Sequence, residues 1–265
     1  PLKVGDTTFD YEIISQNEQT IFIEVLAIAT STIDSYISVF KKSGLEPLSF
    51  ELEAQAIARA VIPYDDPGSV MIVDFGEART GASIAHDGRV FFTTTLDIGG
   101  VTLTNMIAKS FSISFEEAEK MKISYGTGNS SSLEDIFPAI LHGISVLRDE
   151  LNRHYIYWKT HEDDGIKHEK LDRIIICGGE ANLAGLSTYL EASMMIKTEN
   201  ANVWVNVSDM KVSVPDMSFG ESFGYATVIG LALGDYVNKT QSMINVLPEL
   251  EKKSLRHVYW MRLIS

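Results

Sequence analysis

A chain of 265 residues with 45% apolar and 22% charged content is long and apolar enough to bury a sizeable core, and long enough to do so in two lobes. Its net charge of −14 excludes a sequence-independent nucleic-acid binder, which needs a basic face, and leaves protein partners or metal-bound nucleotides. One cysteine, Cys177, excludes an internal disulfide; with no signal-peptide pattern and no apolar run of bilayer length, the expectation is a cytoplasmic, reducing compartment.

The chain opens at Pro1 directly on structured-looking sequence, so we expect a fragment with something before it. Residues 9–14 read as a short mixed strand and residues 20–29 (TIFIEVLAIA) as a long buried one. Ser31 or Thr32 is the expected cap of a helix running to Lys42, with Asp34 in its first turn and Gly44 as its stop. Residues 45–52 read as a returning strand. The Ala-rich segment Glu53–Val61 predicts a short helix packed closely on a neighbour, and the DDPG run at 65–68 marks a boundary.

The stretch 70–81 (VMIVDFGEARTG) is the best candidate for chemistry. Its apolar run predicts a strand buried on both faces, ending in Asp74, then Phe75 and Gly76, with Thr80 and Gly81 beyond. A carboxylate at a strand end followed by a glycine-containing turn can offer inward-pointing amides to a phosphate, with Asp74 holding Mg²⁺ through water. An ordinary polar hairpin turn is the plainer reading of the same residues. A second hairpin is expected across Asp87-Gly88, a type I′ signal. A helix follows over 101–111, then a capping box at Ser114 and Glu117 opens a helix to about Gly126. Glu119 and Lys122 lie three apart on it, which alone suggests a solvated ion pair.

A long helix from Leu133 towards Trp158 carries Ile136, Ile140, Ile144, Leu147 and Leu151 at helical spacing. His154, His161 and His168 lack the spacing of a helical metal pair and read as surface residues. Arg173–Cys177 predicts a buried strand running into Gly178-Gly179 and then a helix from about Leu183, where backbone could approach a phosphate. Residues 202–207 read as a strand. Residues 222–233 read as a helix with Gly224, Thr227 and Gly230 packed tightly on one face.

In order, these pieces resemble the actin-like ATPase superfamily. DFGEART matches its second phosphate loop, IIICGGEANLAGL its adenosine motif, SFGYATVIGLALG its last packed helix and AEKMKISYG the adenine-side helix of FtsA and its relatives. LEAQAIARAV resembles a helix shared by chaperone ATPases and FtsA, with Ala54 where proline is usual. Within the superfamily the chain most resembles the PilM family of type IV pilus assembly, through the opening unit and the run DGRVFFTTTLDIGGVTLTNMIAKSFSISFEEAEKMK. The tail, MINVLPELEKKSLRHVYWMRLIS, resembles the start of PilN, whose I-N-x-L-P box precedes its membrane helix and docks into a groove of PilM.

The resemblance implies an α/β actin-like fold with ribonuclease H-like sheets, incomplete at its start. It divides the chain into an inserted small α+β subdomain (1–47), a connecting strand and helix (48–68), a second actin-like lobe (69–235) and a tail (236–265). It implies ATP and Mg²⁺ as ligands of the longer protein: Asp74 on Mg²⁺; Gly76 and Thr80 around the phosphates; Gly178 and Gly179 along the α-phosphate and ribose; Glu119 and Lys122 towards the ribose and adenine. Glu53 would stand near the γ-phosphate, orienting water or Mg²⁺. Ile244, Asn245, Leu247 and Pro248 would bind the partner. The first phosphate loop has no counterpart before Gly68, so the chain as given should hold nucleotide weakly and at most hydrolyse it slowly when complete. The partners implied are a PilN-like inner-membrane protein and other pilus platform or motor components, with no nucleic acid, at the cytoplasmic face of the membrane. An FtsA-like division scaffold and a small-molecule kinase of the same superfold are the alternatives.

Overall fold

The computed structural model describes residues 3–126, 133–161, 170–207, 215–234, 244–248 and 251. The chain divides into two compact units, residues 1–52 with 242–265 and residues 53–241.

Unit 2 is a three-layer α/β sandwich. Its elements are α2 (Glu53–Val61), β3 (Ser69–Phe75), β4 (Thr80–His86), β5 (Arg89–Leu96), α3 (Gly100–Phe111), α4 (Phe115–Gly126), α5 (Leu133–Thr160), β6 (Arg173–Cys177), α6 (Leu186–Met194), β7 (Lys197–Asn200), α7 (Phe219–Ser222) and α8 (Ala226–Leu233). The strands form one sheet in the order β5-β4-β3-β6-β7. β3, β4 and β5 are antiparallel neighbours, whereas β6 runs parallel to both β3 and β7.

The two-residue period of β3 sorts its side chains between two cores. Met71, Val73 and Phe75 join Ile174, Ile176 and the α5 stripe of Ile136, Ile140, Ile144, Leu147 and Leu151. Val70 and Ile72 join Ile175, Cys177 and the apolar residues of α2. α2 and α8 meet at Gly230, where a Cβ would fall 1.7 Å from the Ala56 carbonyl oxygen. Buried Gln55 clamps α2 to the β4–β5 turn: its amide donates to Gly88 O (3.1 Å) and its oxygen accepts from Val90 N (3.1 Å). That turn has positive φ at both Asp87 and Gly88, as the type I′ reading expects.

Several expectations fail here. Residues 203–207 form turns, and the edge strand is β7, which starts five residues before the expected one. The polar sequence KTEN carries no strand signal; its pairing with apolar β6 makes it one. The helix expected over 222–233 is broken by a 3₁₀ turn at Phe223–Tyr225. Gly178-Gly179 leads into successive turns rather than a helix end, because α6 starts only after Gly185, which has φ +81°. His154 is half-buried with its ring 5.5 Å from that of Phe92, His161 is exposed, and His168 lies outside the described residues.

Unit 1 contains β1 (Thr7–Gln16), β2 (Ile21–Ala29) and α1 (Thr30–Lys42). β1 and β2 form an antiparallel hairpin. β2 is not buried: its residues alternate between exposed and half-covered, since α1 lies on only one side of a two-stranded sheet. Helix α1 is capped at Ala29, two residues before the first expected cap and with no side-chain cap, and Asp34 falls outside its first turn. Gly44, at φ +72°, ends it as expected. Residues 45–52 have no regular structure. They pair instead with the tail, through Val246 N donating to Phe50 O (3.0 Å).

Candidate functional site

β3 carries Asp74 to the end of the sheet on the same face as Val70 and Ile72, beside Cys177 on β6. Phe75 then pairs with Thr80, leaving Gly76 to Arg79 as a tight turn in which Gly76 N donates to Arg79 O (3.1 Å). Thr80 is fully buried and its hydroxyl donates to Ile98 O (2.6 Å). It therefore pins the loop before α3 under the turn rather than offering its hydroxyl to a ligand. The same loop is pressed on the turn at Gly99, where a Cβ would lie 2.5 Å from Glu77 O. The first α3 amides close on the turn as well, Gly100 N on Gly76 O (3.0 Å) and Val101 N on Glu77 O (2.9 Å). Turn and helix start are one rigid piece.

Opposite the turn, Gly178 adopts φ +91°, and a Cβ there would lie 2.6 Å from Asp74 Oδ1 and 2.5 Å from Phe75 O. Only glycine fits. Gly179 differs: nothing lies within 4 Å of the place its Cβ would take. Its bare backbone borders open space beside the Asp74 carboxylate, which suits the close approach of a ligand.

Asp74 is half-buried, and its pKa is pushed up to about 6, first by burial and second by the negative charge of Glu53. Glu53 is the exposed first residue of α2, and its Oε1 accepts from the Thr227 hydroxyl (3.2 Å). The Cys177 thiol is pushed well up by burial, then by Asp74 and Glu53. The Glu53 charge acts on Asp74, so the two carboxylates lie near one another, and Gly179 leaves open space at the same corner. Among the described residues no group of three His, Cys, Asp or Glu could cage a metal. A carboxylate pair is the donor chemistry suited to Mg²⁺, which keeps several waters and completes its shell on phosphate oxygens.

Glu119 and Lys122 are brought together, but not as a solvated pair. Lys122 is 4% exposed and bridges Glu119 Oε2 (3.1 Å) and Glu180 Oε1 (2.9 Å). The Thr104 hydroxyl lies within hydrogen-bonding reach of Glu119 Oε2 and of Gly100 O. Glu180 packs on Gly100, where a Cβ would lie 2.1 Å from its Oε1. A chain of polar contacts thus links α4, α3 and the Gly178-Gly179 corner. The sequence reading missed Glu180 and Thr104. The signal for Glu180 was its place directly after the double glycine; Thr104 had none, since its role depends on α3 meeting α4.

The expected partner residues belong to unit 1. Ile244 and Leu247 are buried with Ile33 and Ile37 of α1, and Asn245 and Pro248 lie in the same segment. The Asp74 cluster belongs to unit 2.

The family model described as type IV pilus assembly protein PilM matches residues 1–236. The chain belongs to the PilM family. Curated relatives include the cell division protein FtsA of Staphylococcus epidermidis, 22% identical over 85% of this chain and 51% of that protein. FtsA of Buchnera aphidicola is 24% identical over 77% of the chain and 51% of that protein. The chain thus spans about half the length of the curated relatives it matches. Among solved structures, a PilM–PilN type IV pilus biogenesis complex matches at TM-score 0.68 and 19% identity, over 89% of this chain and 68% of that one. MreB5 of Spiroplasma citri bound to ADP matches at TM-score 0.59 and 18% identity, over 79% and 66%. These likenesses confirm the actin-like fold of the PilM-family chain. Among the described residues no helix is long and apolar enough to cross a membrane.

Proposed function

We propose that this PilM-family chain serves type IV pilus assembly as an actin-like scaffold that binds a magnesium nucleotide through unit 2 and a PilN-like inner-membrane partner through unit 1. The family match over residues 1–236 carries the pilus role. The meeting of Asp74, Glu53, the bare Gly179 backbone and the Lys122 network supports the nucleotide. Asp74 and Glu53 would hold Mg²⁺ with its waters. Gly76, Gly178 and Gly179 would leave room for phosphates beside the turn, with Thr80 holding that turn in place. Glu119 and Lys122, fixed by Glu180, would face the ribose and base. Mg²⁺ would offset the charge of the Asp74–Glu53 pair, and the nucleotide phosphates would tie the turn to the Gly178 corner. A solved MreB relative carries ADP, which agrees with this use of the fold.

The test is a thermal-shift titration of the intact protein with ATP and Mg²⁺. Stabilisation that requires Mg²⁺ and disappears in Asp74→Ala supports the site; an identical shift in both proteins overturns it. Loss of surface pili on deletion of the gene, restored by the wild-type copy, tests the assembly role. The PilN-like partner, cytoplasmic-face location and other pilus components remain parts of this proposal, checked by co-purification with membranes.

A further inference from the structure

The tail of unit 1 is bound as a ligand is bound. Asn245 Oδ1 accepts from Phe50 N and Leu247 N (2.9 Å each), and its Nδ2 donates to Leu48 O (3.3 Å). Its backbone N donates to Asp10 Oδ2 (3.0 Å), and the next amide, Val246 N, donates to Phe50 O (3.0 Å). The side chain thus acts as a piece of backbone, pairing the tail with residues 48–50. Only an amide of this length can accept and donate there; aspartate would lose the Leu48 bond and set a second carboxylate near Asp10. On either side of Asn245, Ile244, Val246 and Leu247 bury against Ile33, Ile37, Leu26, Ile28 and Phe50. Lys41 Nζ meets Glu251 Oε1 at 2.6 Å beyond the box. The groups that hold Ile244, Asn245 and Leu247 are therefore already engaged by this chain's own copy.

We propose that residues 244–248 plug the unit 1 groove in cis, so that a partner segment with the same Ile-Asn-x-Leu-Pro chemistry binds only by displacing the tail. This rests on the reading that the groove receives a PilN-like segment. A short tether gives the tail an effective concentration in the millimolar range, so a free segment of equal intrinsic affinity competes poorly. The tail thereby sets a threshold: capture requires a partner that is locally concentrated, as one anchored in a membrane is.

The experiment titrates a fluorescent peptide of sequence QSMINVLPELE against the intact chain and against the chain carrying Asn245→Asp with Leu247→Ala, by anisotropy. The groove residues are the same in both proteins. The expected result is at least about tenfold tighter binding to the variant. Equal affinity for both overturns the cis plug while leaving the partner reading intact. Binding to neither overturns the partner reading itself. Because the variant chain could fold poorly without its plug, a second protein carries a protease site within residues 236–241 and is cut after folding. Cutting should raise peptide binding as the released tail exchanges; no change on cutting overturns the plug.

Discussion

The sheet of unit 2 and the hairpin of unit 1 are built from similarly apolar strands and bury them to opposite extents. In β3 every residue but Asp74 is buried, with helices on both faces. In the hairpin, Phe9, Tyr11, Ile13, Ile23 and Val25 are each at least half exposed, along one continuous face. The other face bears Asp10, Glu12 and Glu24 beside Leu26 and Ile28, and there Asp10 holds the tail. Apolar content alone does not tell a core strand from a docking strand; what decides is whether the chain supplies layers for both faces. Unit 2 supplies α2 and α8 on one side and α3, α5 and α6 on the other. It can therefore place a single carboxylate, Asp74, in a setting stiff enough to shift its pKa.

The largest way to break that difference is at the closest contact between layers. Gly230→Ala would drive a methyl into the Ala56 carbonyl, backbone that cannot swing aside. We expect a loss of about 3 kcal/mol or more, or outright failure to fold, read from the urea midpoint. Next is Lys122→Met, which strips a buried cation from between Glu119 and Glu180. The expected cost is about 3 kcal/mol in urea unfolding, with loss of the nucleotide-dependent thermal shift.

Asp74 offers a pH test of the same stiffness. Its folded pKa, about 6, lies above the unfolded carboxylate value, so the folded state binds the extra proton in the window between about 4 and 6. The stability this gives is fully present below about pH 4 and is lost as pH rises through 6, a fall of about 3 kcal/mol. Asp74→Asn should flatten that part of the pH–stability curve in the absence of nucleotide. A wild-type curve with no downward slope there, measured by thermal unfolding from pH 4 to 8, counts against the strained carboxylate.

Much of unit 2 was legible because its signals are local. The period of β3 and β6, the Asp87-Gly88 turn, the Ser114–Glu117 box (Glu117 N to Ser114 Oγ, 3.2 Å) and the α5 stripe each declare themselves within a few residues. The α2 prediction matched from end to end, its small residues answering to the Gly230 contact. What stayed hidden depends on partners distant in sequence. KTEN becomes a strand only beside β6, and Lys122 becomes buried only because Glu180 arrives from 58 residues away. Residues 45–52 read as a strand, yet their partner is a tail segment about 195 residues on, joined through the Asn245 side chain and one backbone bond. The resemblance sets Thr80 at the phosphates; its hydroxyl also donates to Ile98 O, a contact no loop pattern encodes.

The smallest expected effect is the most direct check on the opening contrast. If the outer face of the hairpin lies bare in the isolated protein, Tyr11→Thr with Val25→Thr, a directly opposed pair, removes little buried area. Threonine keeps a good strand propensity, so stability should change by no more than about 0.5 kcal/mol, and solubility should rise as the apolar patch shrinks. Ile33→Ala, on the side of α1 that meets the hairpin and the tail, is the control and should cost about 3 kcal/mol. A loss in the threonine pair comparable to that of Ile33→Ala would mean that the outer face is covered in solution. The hairpin would then be a core sheet like β3, its second layer supplied by something other than the described residues.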